Sequence, residues 1–187
     1  MTRTCLALLM GLFSFLFGSP ASAEPPATKP KPEDVGRALR QMMLTMPPAE
    51  IGLKPTPVFP HVYGVRMDLP MGHGQTATVV ANATRTASLY TTSTFGIIGG
   101  EGHAAVRASA LAFTSAAGQF FDSATPTTEF PYPPDGHVYF YLLTFEGVRR
   151  IDVELTAIEN ATSKYTPLFA LGQEVLTQLR LISEKKP

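Results

Sequence analysis

The residues best suited to bind a ligand lie in a glycine-rich turn before a predicted helix. Gly99, Gly100 and Gly102 are followed at once by His103. The segment Gly100–Ala105 matches the G-x-G-x-x-A variant of the dinucleotide fingerprint, and backbone N–H groups at a helix N-terminus can hold an anion. That fingerprint also requires a parallel βαβ unit and an acidic residue about 20 positions later, where this chain has a proline-rich segment. We therefore interpret the glycines as a tight strand-to-helix turn, and we retain these four residues as a candidate binding site.

A β-hairpin is predicted in the second half of the chain. Residues 138–145 are nearly all apolar or aromatic, and residues 148–158 alternate between apolar and polar. Glu146-Gly147 between them is predicted to be the two-residue turn. This turn pairs Phe145 with Val148, and it determines which side chains share a face of the hairpin.

One face of this hairpin is a second candidate site. It carries Tyr139 and Tyr141 on one strand and Arg150, Asp152 and Glu154 on the other. Two carboxylates so close together are compatible with acid–base catalysis, but a polar cross-strand face with an arginine beside them explains the same pattern. If the face is open to solvent, its aromatic rings form a binding surface rather than a catalytic one. We retain Tyr139 and Tyr141 as candidate partner-binding residues.

The other patterns that indicate catalysis or metal binding are missing from the sequence. None of the histidines has the H-x-H or H-E-x-x-H spacing of a metal site; they are His61, His73, His103 and His137. There is no G-x-S-x-G nucleophile elbow. Ser183 and Lys186 form an S-x-x-K pattern, but it lies at the charged C-terminus, where a nucleophile is poorly held. We predict no catalytic residue, no metal and no cofactor.

The first 23 residues have the features of a secretory signal. Arg3 provides a positive start, Leu6–Phe17 is an apolar run, and Ala21-Ser22-Ala23 is a small-x-small cleavage pattern. The run is too short to span a bilayer comfortably. The sequence thus predicts export to the bacterial periplasm or the exterior, with no transmembrane segment after cleavage. The only cysteine is Cys5, so the exported chain is predicted to have no disulfide and no thiolate chemistry.

The charge of the chain limits the kinds of partner it can bind, and its length limits the number of domains. The 187 residues include 15 Lys and Arg against 15 Asp and Glu, and the isoelectric point is near 6.9. A balanced charge argues against nucleic acid as a partner, because binding phosphates requires clustered cations. The length suits one domain, residues 35–187, after a proline-rich leader at residues 24–34.

Three helices are predicted to hold these candidate sites in place. The first has an apolar stripe formed by Val35, Leu39, Met42, Met43 and Met46. This stripe is typical of a helix docked on a core, and methionines also suit a promiscuous peptide-binding face. The second helix covers residues 103–122. The third begins at Thr166 and buries Leu168, Leu171, Val175, Leu179 and Ile182.

The order of predicted elements is helix, two or three strands, helix, hairpin and helix. It predicts the α+β class, with an antiparallel sheet of about five strands and helices packed on it. The second and third helices would cover opposite faces of the sheet. The order resembles that of profilin-like and roadblock-like domains in topology only, and no motif in the chain supports a family assignment.

Two functional hypotheses follow from the sequence. The first is an exported, non-catalytic module that binds a protein partner, a second copy of itself or a small ligand. The alternative is a small periplasmic enzyme with a site near the glycine-rich turn, residues 96–103. A pocket that gathers His103, His73 and a carboxylate would favour the enzyme.

Overall fold

The fold is described from a computed structural model that covers residues 32–93 and 96–184. The predicted signal, residues 1–23, lies outside the described residues. The helices are α1 (Pro32–Thr45), α2 (Ala104–Gly118), α3 (Leu155–Glu159) and α4 (Thr166–Glu184). The strands are β1 (Val62–Gly72), β2 (Gln75–Asn82), β3 (Ala87–Thr91), β4 (Gly96–Ile97), β5 (Thr125–Thr127), β6 (His137–Thr144) and β7 (Gly147–Glu154). Among the described helices, none is both long and apolar enough to cross a membrane.

The strands form one antiparallel sheet in the order β4-β3-β2-β1-β6-β7-β5. The predicted α+β class with an antiparallel sheet is confirmed, but within residues 32–93 and 96–184 the sheet has seven strands rather than about five. The two strands that the sequence pattern does not indicate, β4 and β5, lie at the two edges and are only two and three residues long. Pro126 lies in β5, where an edge strand tolerates a residue without an N–H donor.

Helices α2 and α4 pack side by side on one face of the sheet. The prediction that they cover opposite faces is therefore wrong. Their buried side chains include Phe113 and Val175, which form the main core with Met67 of β1 and Phe140 of β6. Gly172 lets α4 approach closely, because a Cβ there would lie 2.7 Å from the Sδ of Met67.

The opposite face of the sheet is covered by α1 and by the proline-rich segments that follow α1 and β5. Here Leu44 of α1 packs with four strand residues, Tyr63, Tyr139, Tyr141 and Leu143. The buried side of α1 differs from the predicted stripe, because Val35 and Met42 are 40% and 44% exposed. Arg40 and Leu44 are buried in their place.

The β6–β7 hairpin forms with a register that differs from the prediction. Thr144 pairs with Gly147, so the two-residue loop is Phe145-Glu146 and not Glu146-Gly147. The positive φ that a tight hairpin requires, +125°, falls on Gly147 just after the loop. The partner of each residue changes by two positions, so every side chain keeps its predicted face.

Candidate functional site

The glycine-rich turn forms one wall of a surface pocket of about 310 Å³. The pocket lies between the edge strand β4, the N-terminus of α2 and the last turn of α4. Its lining residues are Gly96, Ile97, Ile98, Gly99, His103, Ile182 and Ser183. The structure thus brings together Gly99 and His103 from the predicted site, and α4 adds two residues from far along the chain.

The three glycines of the predicted site have different roles. Gly99 has a φ of +68°, a conformation that favours glycine. Gly100 is buried below the pocket, and a Cβ there would lie 2.6 Å from Val106 Cγ1 and 2.9 Å from Leu179 Cδ2. Gly102 is exposed, with no atom near the position of a Cβ. The glycine run therefore combines a turn, a close packing contact and an open position.

The two polar side chains that line this pocket, His103 and Ser183, do not hydrogen-bond to each other in the described part of the chain. His103 occupies the N-cap position of α2 without a side-chain cap, so its ring does not satisfy the first N–H groups of the helix. The Ser183 hydroxyl donates a 2.8 Å hydrogen bond to the carbonyl of Arg180 and is not activated by His103. Neither His73 nor a carboxylate is among the residues that line this pocket.

Tyr139 and Tyr141 share a face with Arg150 and Asp152, with which they pair directly. Both rings are buried, at 8% and 0% exposure. The Tyr141 hydroxyl donates a 2.7 Å hydrogen bond to the Pro131 carbonyl, and burial raises the pKa of Tyr141 above its ordinary value. The two tyrosines therefore lie beneath α1 and the proline-rich segment, away from the pocket.

One hydrogen-bonded His–Asp pair lies partly exposed on the same face. His137 Nδ1 is 2.7 Å from Asp152 Oδ1, with about a third and two fifths of the two side chains exposed. Glu154 pairs directly with His137 across the hairpin. Within the parts of the chain that the structure covers, no three His, Cys, Asp or Glu side chains are grouped so that they could hold a metal ion.

The same face holds a buried charge cluster that the sequence patterns above do not predict. Asp68 of β1 is fully buried, and its Oδ2 accepts hydrogen bonds from Arg40 and Arg66 at 2.9 and 2.7 Å. Its Oδ1 accepts a 2.7 Å hydrogen bond from Thr78 on β2. A signal was present, because Arg66 and Asp68 are two charges on one side of an otherwise apolar strand.

Arg40 uses this cluster to attach α1 to the sheet. Besides Asp68, its guanidinium donates to the carbonyls of Phe130 and Pro131 at 2.8 and 2.9 Å. It also stacks on the ring of Tyr132, 4.0 Å from the ring centroid. One side chain thus joins the first helix, the central strand and the proline-rich segment after β5.

The fold and these sites define a class, an α+β protein with a pocket at one sheet edge and a buried arginine–carboxylate cluster on the face below α1. No family model, curated protein or solved structure matches the chain. Its function is therefore inferred from the geometry of these two regions.

Proposed function

We propose that the protein is an exported, non-catalytic binding module that recognises a partner protein at the pocket beside β4. The observation that carries this proposal is that Gly99 and His103 line one pocket together with three isoleucines, Ile97, Ile98 and Ile182. The pocket is concave, and polar and apolar surface line it in about equal shares. Apolar contact surface with placed polar groups is how a recognition site gains affinity and orientation. Export rests on the signal pattern of residues 1–23 alone.

The surroundings of the pocket favour an extended segment as the ligand. β4 is the outermost strand, and within the described chain it pairs only with β3. An edge strand can accept a further strand through backbone hydrogen bonds, while a neighbouring pocket selects a side chain. Ile98 lines the pocket and is 65% exposed, so the selected side chain would be apolar.

The first experiment replaces an exposed residue of the pocket. Ile98→Asp introduces a charge where an apolar side chain would bind, and the exposure of Ile98 predicts little loss of stability. Val58→Asp is the matched control, because Val58 is 72% exposed and lies against another pocket, near the end of α2. Wild type and both variants are immobilised and compared by quantitative mass spectrometry after capture from an extract of exported proteins.

A cross-link then tests whether a captured protein occupies the pocket. Because Cys5 is the only cysteine, protein without the signal segment can carry a single photo-cross-linker on Ser183→Cys, with Val58→Cys as control. We expect a partner that is lost from Ile98→Asp, retained by Val58→Asp and cross-linked only from position 183. Capture that is equal for all three proteins would disprove the proposal.

The alternative, a small enzyme with a site at residues 96–103, also remains a proposal. It rests on His103 and Ser183, which line the same pocket. If the pocket is catalytic, His103→Ala would abolish turnover of the substrate. If the pocket binds a partner protein, the same substitution would only weaken the affinity for that partner.

A further inference from the structure

The guanidinium of Arg66 is the least satisfied polar group of the buried charge cluster. The side chain is fully buried, and its Nη2 donates to Asp68 Oδ2 at 2.7 Å. Nε and Nη1 are buried without any hydrogen-bond acceptor among the described residues. Arg66 Cζ lies over the ring of Tyr141, 4.2 Å from the ring centroid. A ring in this position attracts the cation but is not a hydrogen-bond acceptor for N–H groups that point outwards in the plane of the guanidinium.

The charges of the cluster do not balance. Among the described residues, the buried ionic groups are Arg40, Arg66 and Asp68, and together they carry one net positive charge. Asp68 already accepts hydrogen bonds on both oxygens, and Arg40 donates to Asp68 and to two carbonyls. The excess positive charge therefore coincides with the unpaired N–H groups of Arg66, and a buried charge without a partner is costly.

We propose that Arg66 binds a small monovalent anion at this buried edge of its guanidinium. A single negative charge makes the cluster neutral. A water molecule would accept a hydrogen bond from an N–H group, but it would leave the net positive charge of the cluster unbalanced. Full burial of the side chain restricts the ligand to a small anion of the halide type. The same anion would weaken the repulsion between Arg66 and Arg40, which share Asp68 Oδ2, and would thereby stabilise the attachment of α1.

Thermal unfolding in two sodium salts tests this site. Chloride is the probe, and gluconate at equal ionic strength accounts for the screening of surface charges. A ligand that binds only the folded state raises the melting temperature, here by roughly 3–5 °C for each tenfold rise in chloride above its Kd. We expect this rise in chloride and not in gluconate.

Two variants assign the effect to Arg66. Arg66→Met leaves Arg40 and Asp68 as a balanced pair and should lose the chloride dependence. Arg180→Met removes the same charge from the surface, where 62% of the side chain is exposed, and should retain it. A wild type that responds equally to both salts, or an Arg66→Met variant with the wild-type response to chloride, would overturn the proposal.

Crystals of the wild type grown in bromide provide a readout that does not depend on the stability of a variant. An anomalous peak within hydrogen-bonding distance of Arg66 Nε or Nη1 is the expected result. Ordered water alone at these atoms, without an anomalous signal, would refute the anion site.

Discussion

Replacing Asp68 by asparagine tests whether the buried charge cluster is held by its single carboxylate. The substitution keeps the size of the side chain and removes the negative charge. Arg40 and Arg66 would then remain buried, at 5% and 0% exposure, with no anionic side chain in the cluster. Their hydrogen bonds to Oδ2, at 2.9 and 2.7 Å, would become weaker contacts to a neutral amide.

The structure gives the expected magnitude. Removing one partner of a buried ion pair costs about 3–5 kcal/mol, because an uncompensated charge is left behind. Here one carboxylate serves two arginines, and its other oxygen also accepts from Thr78, so the loss should lie near the upper end, about 5 kcal/mol. This is a large part of the roughly 5–15 kcal/mol by which typical domains are stable.

Urea unfolding followed by circular dichroism measures this loss, with Asp152→Asn as the matched control. Asp152 lies on the same face of the sheet, but its side chain is 43% exposed and pairs with His137 at the surface. Such an exposed pair contributes about 0–1 kcal/mol. If Asp68→Asn costs no more free energy of unfolding than Asp152→Asn, at equal m-values, our account of the cluster is wrong.

Four further predictions concern the stability of the fold and the cleavage of the signal. Gly100→Ala should lower the free energy of unfolding by about 1–3 kcal/mol, because its Cβ would overlap Val106 and Leu179; Gly102→Ala, in open space, is the control, and equal urea midpoints would contradict this. Gly147→Val should lower the free energy of unfolding by about 1–3 kcal/mol, because Gly147 has a φ of +125° that valine rarely adopts. An unchanged melting temperature would contradict this prediction. Burial raises the pKa of five tyrosines above the ordinary value of 10.0; they are Tyr63, Tyr90, Tyr132, Tyr139 and Tyr141. Stability should therefore fall as the pH rises above 10.0 towards the higher pKa of the folded state, with tyrosinate absorbance and unfolding coincident. Mass spectrometry of protein from its native host should find a chain that begins at Glu24, and an intact Met1 on the folded product would contradict cleavage.

Local patterns were sufficient to predict the class of the fold and the faces of the hairpin. Alternation with a period of two determines which side chains share a face, and this holds even though the pairing of Phe145 with Val148 was wrong. The register depends on where the backbone takes a positive φ. That residue is Gly147, and composition does not distinguish a glycine inside the loop from one just after it.

The buried face of α1 could not be derived from its apolar residues. The stripe formed by Val35 and Met42 gives a plausible inner face, yet the helix turns Arg40 inwards to reach Asp68 on β1. Those two residues are 28 positions apart, and a single sequence gives no sign that they meet. An arginine with three acceptors and an aromatic ring around it can be buried, although arginine is normally assigned to the surface.

Only part of the pocket could be predicted from the sequence, because the rest depends on contacts between residues far apart in the chain. Gly99 and His103 are neighbours in sequence, whereas Ile182 and Ser183 come from the end of α4 and enter the pocket because α4 packs beside α2. Gly100 is one of the contacts between these elements, since it lies against Val106 of α2 and Leu179 of α4. A bulky side chain at Gly100 would therefore disturb the packing that forms the pocket, and a loss of binding there would not separate recognition from folding.

A substitution at Ile98 distinguishes a loss of recognition from a loss of folding. It is 65% exposed and lines the pocket without supporting the helix pair, so a substitution there changes the surface offered to a partner and leaves the packing below it intact. The glycine-rich turn thus contains both a folding determinant and a candidate recognition surface within three residues. Their different burial explains why glycine content alone could indicate the turn but could not assign its roles.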